Sequence, residues 1–441
     1  MQFRISNAFD SHVHWQGTGA FQERLQLQTV KSLEDLQKLK IEKYQMSQEW
    51  LLGWGWDENN FADGFLPTRQ NLDTVFKNIP VAFTRVDAHS FWVNTEALKR
   101  AGLFYKNAKS EEGGTIQLDF EGWPTGLLID SATNSIRRLI PKPNSFQIKR
   151  HLESALQYFN RAGITHIRDM TCNEEQWNIA VSLAEQSSFT LAVVQNFSID
   201  NLDQFDSAIK LALEARKRPP RLIRPGAIKI FFDGSLGAES ALVSAPYASG
   251  SGRGLQMIER IALKEIIQRC WSWGLDIAIH TIGDEAAHRV VQIANEIWDL
   301  GHDGRLHLEH VELLRSETIQ MMKGKNILCH LQPSHWLSDK VWLETKLGDL
   351  ARYAFRWKEL EDNDVPFFFG TDSPIEAPSL MNTYKALLDA AASGIPMLKT
   401  DWQSYHSFPD VKWTPNTYTE FTDDQITQVF FEGRLINTKS N

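Results

Sequence analysis

The chain has 441 residues, enough for one large domain with additions or for two to three ordinary ones. Apolar residues make up 42% and charged residues 23%, which excludes global disorder. The formal net charge is −9 and no basic block interrupts the sequence, so a nucleic-acid groove or an anionic-membrane surface is disfavoured. Three cysteines far apart (Cys172, Cys270, Cys329) make neither a disulfide framework nor a metal knuckle. No run approaches the roughly 18 apolar residues of a membrane span, and the N-terminus lacks an apolar h-region. The expected compartment is the cytoplasm.

In chain order, the run Ala8–Trp15 reads as a first strand. About 130 residues follow, far beyond ordinary loop length, before a helix starting near Asn144. This stretch is rich in Gly, Trp and turn signals (GWGWDENNF, EEGGTIQ, FEGWPTG), and residues 16–143 are expected as an inserted α+β subdomain. Of fifteen tryptophans, six lie before residue 130. Trp56 and its neighbours either fill a core or wall an aromatic substrate pocket. From about residue 145, β-branched or aromatic runs alternate with helical stretches. The runs are Ile164–Met170, Phe189–Phe197, Ala227–Asp233, Leu275–Ile282, Arg305–Leu313, Ile327–Gln332 and Val365–Asp372. Repeated strand–helix units imply parallel strands with right-handed crossovers, and eight of them predict a closed (β/α)8 barrel from residues 1–15 and 144–441. A helical tail is expected at the C-terminal end.

The two-residue period of a strand puts Asp10, His12 and His14 on one face of FDSHVHW. Two imidazoles at that spacing can grip a metal ion, although ordinary hydrogen-bonded histidines would read the same way. In AIKIFFDG the apolar residues suit the helix-facing side, which turns Lys229 into the barrel. A lysine there must be paired, neutral or modified. His280 in LDIAIHTIGD faces inward, His310 shares a face with Leu308 in RLHLEHVELL, and Asp372 sits at the turn of VPFFFGTDSP. These residues fall at the same end of five strands, the carboxyl end where barrel enzymes build their sites. Asp233 shares the face of Lys229. Gln332 and His335 follow the seventh strand, where they either touch substrate or satisfy a polar loop. Arg85 and His89 share a face of an insert strand.

The set FDSHVHW, IKIFFDGSLGAESA, IAIHTIGDEA, LHLEHVE and FFFGTDSPIEAP resembles the amidohydrolase superfamily, and within it the branch of N-substituted formamide deformylases. The insert motifs GWGWDEN, FTRVDAHSFWVNTEALKRAGL and GWPTGLL occur in the order of that branch. The resemblance runs from about Asp10 to Pro378. It implies that His12 and His14 bind the more buried metal, that Lys229 is a bridging carbamate formed with carbon dioxide, that His280 and His310 hold a second metal, and that Asp372 is both ligand and proton shuttle. It also places Arg85 and His89 over the active site. Zinc suits histidines with carboxylates, with one or two ions per chain. Family members usually carry a small β-sandwich from both ends of the chain, for which too little sequence is present, so that domain is expected to be absent or vestigial. Glu239 and Glu285 stand where relatives often have arginine.

The activity implied is metal-dependent hydrolysis of a C–N bond in an amide, N-formyl or N-acyl compound. A water made acidic by the metal loses its proton to Asp372 and attacks the carbonyl. A deaminase, a cyclic amide or imide hydrolase, and a non-catalytic binding relative are the alternatives. The expected partner is a small-molecule substrate, with no nucleic acid and no membrane; a homodimer is left open.

Overall fold

The computed structural model describes residues 2–62, 64–86, 90–110, 114–199 and 201–438. The chain divides into two units, residues 1–19 with 152–441, and residues 20–151. The second unit therefore starts and ends a few residues later than the 16–143 expected from sequence.

Among the described residues of the first unit, eight strands form one continuous parallel sheet in chain order. They are β1 (Phe9–Val13), β2 (His166–Asp169), β3 (Ala192–Ser198), β4 (Ile223–Phe231), β5 (Ile277–Thr281), β6 (Leu306–His310), β7 (Ile327–Leu331) and β8 (Phe367–Phe369). Every adjacent pair from β1 to β8 is parallel. The sheet then meets itself: Val13 bridges to Ser373, the His14 amide donates to the Ser373 carbonyl at 2.8 Å, and the Asp372 amide donates to the His12 carbonyl at 2.8 Å. The eight strand runs read from the sequence correspond to these eight strands.

The intervening helices bury one stripe each. In Asp284–Asp299 the buried residues are Asp284, Ala286, Ala287, Val290, Val291, Ile293, Ala294 and Ile297, a spacing that follows the 3.6-residue turn. Full burial of each Val or Ile there stabilises by roughly 1.5–3 kcal/mol. Asp284 and Glu285 occupy the first turn, where their charge opposes the positive end of the helix dipole.

Glycine is required at two points that shape the carboxyl end of the barrel. A Cβ on Gly370 would lie 2.6 Å from the His12 amide nitrogen, so only glycine lets β8 run this close to β1. A Cβ on Gly283 would lie 1.9 Å from the Leu242 carbonyl oxygen, where the loops after β4 and β5 cross.

The chain ends do not form the expected helical tail. After a helix over Leu380–Ala392, the strands Tyr418–Thr422, Gln425–Phe431 and Arg434–Thr438 join Gln2–Ser6 in a four-stranded antiparallel sheet. Two two-residue turns build it, Asp423-Asp424 and Glu432-Gly433, and all four residues have positive φ. That is the backbone a tight hairpin needs to match strand twist. Phe421, Val429 and Phe431 are fully buried under the sheet, and Phe3 stacks on Phe421 at 4.7 Å. The two chain ends thus form one antiparallel sheet, where the sandwich domain usual in the family was expected to be absent or vestigial.

The second unit contains a mixed sheet of strands Leu25–Gln26, Trp50–Trp56, Val81–Arg85, Ser90–Val93, Pro124–Asp130 and Gly114–Leu118, with Met46–Ser47 paired to Trp50–Trp56. Short helices Leu33–Lys38, Arg69–Phe76 and Thr95–Arg100 accompany it. Its cores gather Trp56, Phe83 and Trp92 in one cluster and Trp50, Phe91 and Leu98 in another. Most of the early tryptophans are therefore core residues.

Candidate active site

At the carboxyl end of the barrel, donor atoms of His12, His310 and Asp372 all lie within 4.8 Å of one another. The His12 and His310 rings are 4.6 Å apart, and those of His310 and His280 are 4.5 Å apart. His14 Nε2 lies 2.9 Å from Asp372 Oδ1, and His12 Nε2 lies 3.4 Å from the same oxygen. Lys229 is 1% exposed, and its Nζ has no hydrogen-bond partner among the described residues. A buried amine in this state carries a desolvation cost that no hydrogen bond offsets.

His12, His280 and His310 are each anchored through one nitrogen, which decides what the other offers. His12 Nδ1 lies 2.6 Å from Glu309 Oε2, an acceptor-only carboxylate, so Nδ1 carries the proton and Nε2 keeps its lone pair toward the site. Gln332 donates its amide N–H to the His330 carbonyl at 3.1 Å, which turns its Oε1 to His310 Nδ1 at 3.0 Å. His310 Nδ1 therefore carries the proton, and Nε2 keeps its lone pair. His280 Nε2 donates to the Gly234 carbonyl at 3.1 Å and leaves Nδ1 as its lone-pair nitrogen. Anchoring of this kind fixes tautomer and ring orientation in metal-binding histidines.

The surrounding charges are set by burial and by a few partners. Burial pushes Lys229 down to about 8, against the pull of Glu309 and Asp372, which brings the neutral amine within reach near neutral pH. Burial opposes ionisation of Asp372, but His12 and His14 hold its carboxyl well below the usual carboxylate range. Burial and the neighbouring Lys229 take His280 down to about 3, and His310 is likewise lowered by burial and by His280. Glu309 is fully buried yet held well below its ordinary value by Arg168, whose Nη1 donates to Glu309 Oε1 at 2.7 Å.

Two carboxylates hold the loops. Asp10 accepts from the Thr371 amide at 2.9 Å, the Thr371 hydroxyl at 2.6 Å and the His12 amide at 3.3 Å, and so pins the end of β8 to β1. Asp233 accepts from the amides of Leu242, Ile282 and Gly283 at 2.9–3.0 Å, which ties the loop after β4 to the loop after β5. Burial raises both to about 7. With its oxygens on backbone amides, Asp233 holds the loops beside His280. Gln332 bonds to His310 and His330.

The remaining candidates belong to the second unit. Trp56 is buried and donates its indole N–H to the Phe83 carbonyl at 2.8 Å, a core role. Arg85 pairs with Glu58 at 2.7 Å and with Asp57 at 3.3 Å. His89 lies outside the described residues. Glu239 accepts from the hydroxyls of Ser249 and Ser251, and Glu285 pairs with Arg289 and Arg315.

Sequence reading missed Glu309 and Arg168. On β6, alternation had assigned Leu308 and His310 to the inner face. Instead Glu309 points inward to His12 and Arg168, and His310 reaches the site because its backbone turns left-handed, with φ 71°. Asp372 has φ 57°, the same device at the end of β8. Non-glycine residues in this conformation are strained and recur at functional sites. The one available signal was LHLEHVE itself, in which a glutamate sits where a barrel strand should be apolar.

Comparison with known proteins agrees with this geometry. A family model described as "Amidohydrolase family" matches residues 9–394. The amidohydrolase-family protein YtcJ of Bacillus subtilis (strain 168) is 31% identical over 379 residues, covering 83% of this chain and 69% of its own. The N-substituted formamide deformylase of Arthrobacter pascens is 23% identical over 292 residues, covering 63% of this chain and 52% of its own. The crystal structure of an uncharacterized metal-dependent hydrolase from Pyrococcus furiosus superposes with a TM-score of 0.69 at 26% identity, covering 88% of this chain and 77% of that one. Among the described residues no helix is long and apolar enough to cross a membrane. With the barrel, the converging histidines and this family match together, the chain belongs to the amidohydrolase family and has the fold of its metal-dependent hydrolases.

Proposed function

We propose that this protein is a metal-dependent hydrolase of a C–N bond in an amide, N-formyl or N-acyl compound. The observation that carries the reading is the meeting of His12, His310 and Asp372 beside the buried, unpartnered Nζ of Lys229. His12, His14, His280, His310 and Asp372 offer nitrogen and oxygen donors that suit zinc, and Lys229 in its neutral form can add carbon dioxide, releasing a proton and leaving an anionic two-oxygen carbamate. A divalent cation held by these residues would supply Lewis acidity toward a carbonyl oxygen and toward water.

The residues of the chain do the rest. Asp372, held ionised by His12 and His14, is the base. It takes one proton from the attacking water as the water oxygen bonds to the carbonyl carbon. It returns that proton to the nitrogen as the C–N bond breaks, because an amine anion is too basic to leave unaided. The products are a carboxylic acid and an amine. Glu309 and Gln332 keep His12 and His310 in the tautomers that face the site, and Asp10 and Asp233 hold the loops on which the donors sit. The formamide deformylase relative supports an N-formyl substrate class within this reaction.

The test joins metal analysis to a substrate panel. Protein purified from zinc-replete medium is expected to hold one or two zinc ions per chain and to cleave members of a panel of N-formyl and N-acyl amines. Lys229→Ala is expected to lose both metal and turnover, with partial rescue of turnover by short carboxylic acids. Full metal content and rate in Lys229→Ala would remove the carbamate, and a metal-loaded protein inert toward the whole panel would overturn the reaction class.

A further inference from the structure

Arg24 directly follows the helix Trp15–Glu23 and is half-buried. Its amide donates to the Phe21 carbonyl at 3.2 Å and its carbonyl accepts from Gln26 Nε2 at 3.0 Å, so the backbone is fixed here. Its guanidinium, by contrast, has neither a hydrogen bond nor an ion pair among the described residues. The adjoining carboxylate is taken: Glu23 Oε1 accepts from Arg150 Nη2 at 3.2 Å and from Arg150 Nε at 3.3 Å. The charged group beside Arg24 is a second cation, Arg137. That residue is exposed, its guanidinium lies over the Phe91 ring at 4.6 Å, and its Nε donates to the Thr133 hydroxyl at 3.3 Å. Burial first, and the Arg137 charge second, lower Arg24 to about 10. Burial, then Arg150 and Arg24, lower His151 to about 4. Both guanidiniums therefore stay charged at neutral pH, and the imidazole is neutral. His151 is 9% exposed and its Nδ1 has no partner among the described residues, while Nε2 lies 3.7 Å from Glu23 Oε2, too far for a hydrogen bond. All of these residues belong to the second unit.

We propose that Arg24 and Arg137, with His151 beside them, form a binding site for a small oxyanion, the carboxylate or phosphate group of a small molecule. Like charges in a partly desolvated place repel more strongly than in water, and an anion between them turns that repulsion into attraction. The planar fork of N–H donors on Arg24 matches the paired oxygens of a carboxylate or phosphate, which are the acceptors it lacks. Thr133 and Phe91 already hold Arg137, so Arg24 gains most from the anion. The neutral His151 ring can carry its proton on Nδ1 and donate it to the same group. Because Arg137 is exposed, the anion can enter from solvent. None of these side chains takes part in the reaction proposed above.

The test titrates zinc-loaded protein calorimetrically with inorganic phosphate and, separately, with acetate at low ionic strength. Arg24→Met keeps an unbranched side chain and removes the charge. With zinc content unchanged, it is expected to weaken binding of the preferred anion by about tenfold to a hundredfold, as for loss of hydrogen bonds to a charged group. Anion held at the zinc ions is common to both proteins and cancels in the comparison. Melting temperature supplies a readout that a structural arginine would move the other way. Without added anion Arg24→Met is expected to melt above wild type, because its repulsion with Arg137 is gone, and millimolar phosphate or acetate is expected to raise wild type more than the variant. Tighter phosphate assigns the ligand to phosphate esters and tighter acetate to carboxylic acids; either upholds the site. Should Arg24→Met fail to fold, Arg24→Gln carries the same comparison. Wild-type affinity for both anions in the folded variant, or a wild-type protein that binds neither at millimolar concentration, overturns the site.

Discussion

The two ends of the barrel use buried histidines in opposite ways. At the amino end, His166 opens β2 with Nδ1 on the Thr165 hydroxyl at 3.0 Å and Nε2 on the Thr414 hydroxyl at 2.9 Å. His406 likewise donates Nδ1–H to the Phe9 carbonyl at 2.9 Å and meets the Thr383 hydroxyl through Nε2 at 3.0 Å. Both rings are completed by the protein and staple the C-terminal segment to the barrel. At the carboxyl end, His12, His280 and His310 are each anchored through one nitrogen, and Lys229 Nζ has no hydrogen-bond partner among the described residues. Burial alone does not separate the two groups, because His12, His310 and Lys229 are as inaccessible as His166 and His406. What separates them is whether the second nitrogen has a partner among the described residues, and the carboxyl end is where the proposed chemistry falls.

If that contrast is right, the largest effects follow from the carboxyl end. Asp372→Asn keeps size and removes the base, so turnover should fall by about 10²–10⁴-fold while at least one zinc ion stays bound. Steady-state rates with parallel metal analysis check this, and near-normal turnover would leave Asp372 as a ligand only. Next comes the charge wire beneath His12. Arg168→Met strands the ionised Glu309 in the barrel interior and should cost about 3–5 kcal/mol in urea unfolding. Adding Glu309→Gln should recover most of that stability, yet lower zinc affinity by about tenfold, because His12 loses the carboxylate that fixes its tautomer. His166→Gln, by contrast, should leave zinc affinity as it is.

The amino end should answer to pH. Burial depresses His166 to about 3 and His406 to about 4, below the ordinary value of 6.5. Protonation therefore favours the unfolded chain: their contribution is complete above pH 6.5 and is lost as pH falls toward the folded-state values. One pKa unit corresponds to about 1.4 kcal/mol, so each should cost about 2 kcal/mol between pH 6.5 and 5. In urea titrations of zinc-loaded protein, His166→Gln should show a shallower loss over this interval than wild type. An identical slope would mean that this ring does not govern acid sensitivity.

The same contrast explains what could be read from the sequence. Strand alternation read Asp10, His12 and His14 as one face and turned Lys229 inward, although β1 and β4 each carry a register irregularity beside these residues. It gave the wrong inner face for β6, because a left-handed residue at the strand end breaks the two-residue period. Arg168 carries no motif and gains its role only from Glu309 across the barrel. The terminal sheet escaped because YTEFTDDQITQVFFEGRLINT was taken with the helical tail. Its signals, the DD and EG turns between alternating apolar residues, were nevertheless present.

Those turns supply the smallest prediction and a further use of the comparison. Left-handed backbone occurs at both ends of the barrel. At the carboxyl end His310 and Asp372 adopt it so that their side chains reach the site, and glycine there would destroy function. In the hairpin Asp423 and Asp424 adopt it, with φ 48° and 63°, so that Tyr418–Thr422 and Gln425–Phe431 can pair. Here only the backbone is needed. Glycine removes the steric cost of the left-handed conformation, and an Asp-Gly pair is a favoured two-residue turn. Asp424→Gly should therefore stabilise the protein by about 0.5–1 kcal/mol in urea unfolding with turnover unchanged. Destabilisation would show that the Asp424 side chain, rather than its φ, holds the hairpin, and the division between strain kept for chemistry and strain kept for a turn would fail at this position.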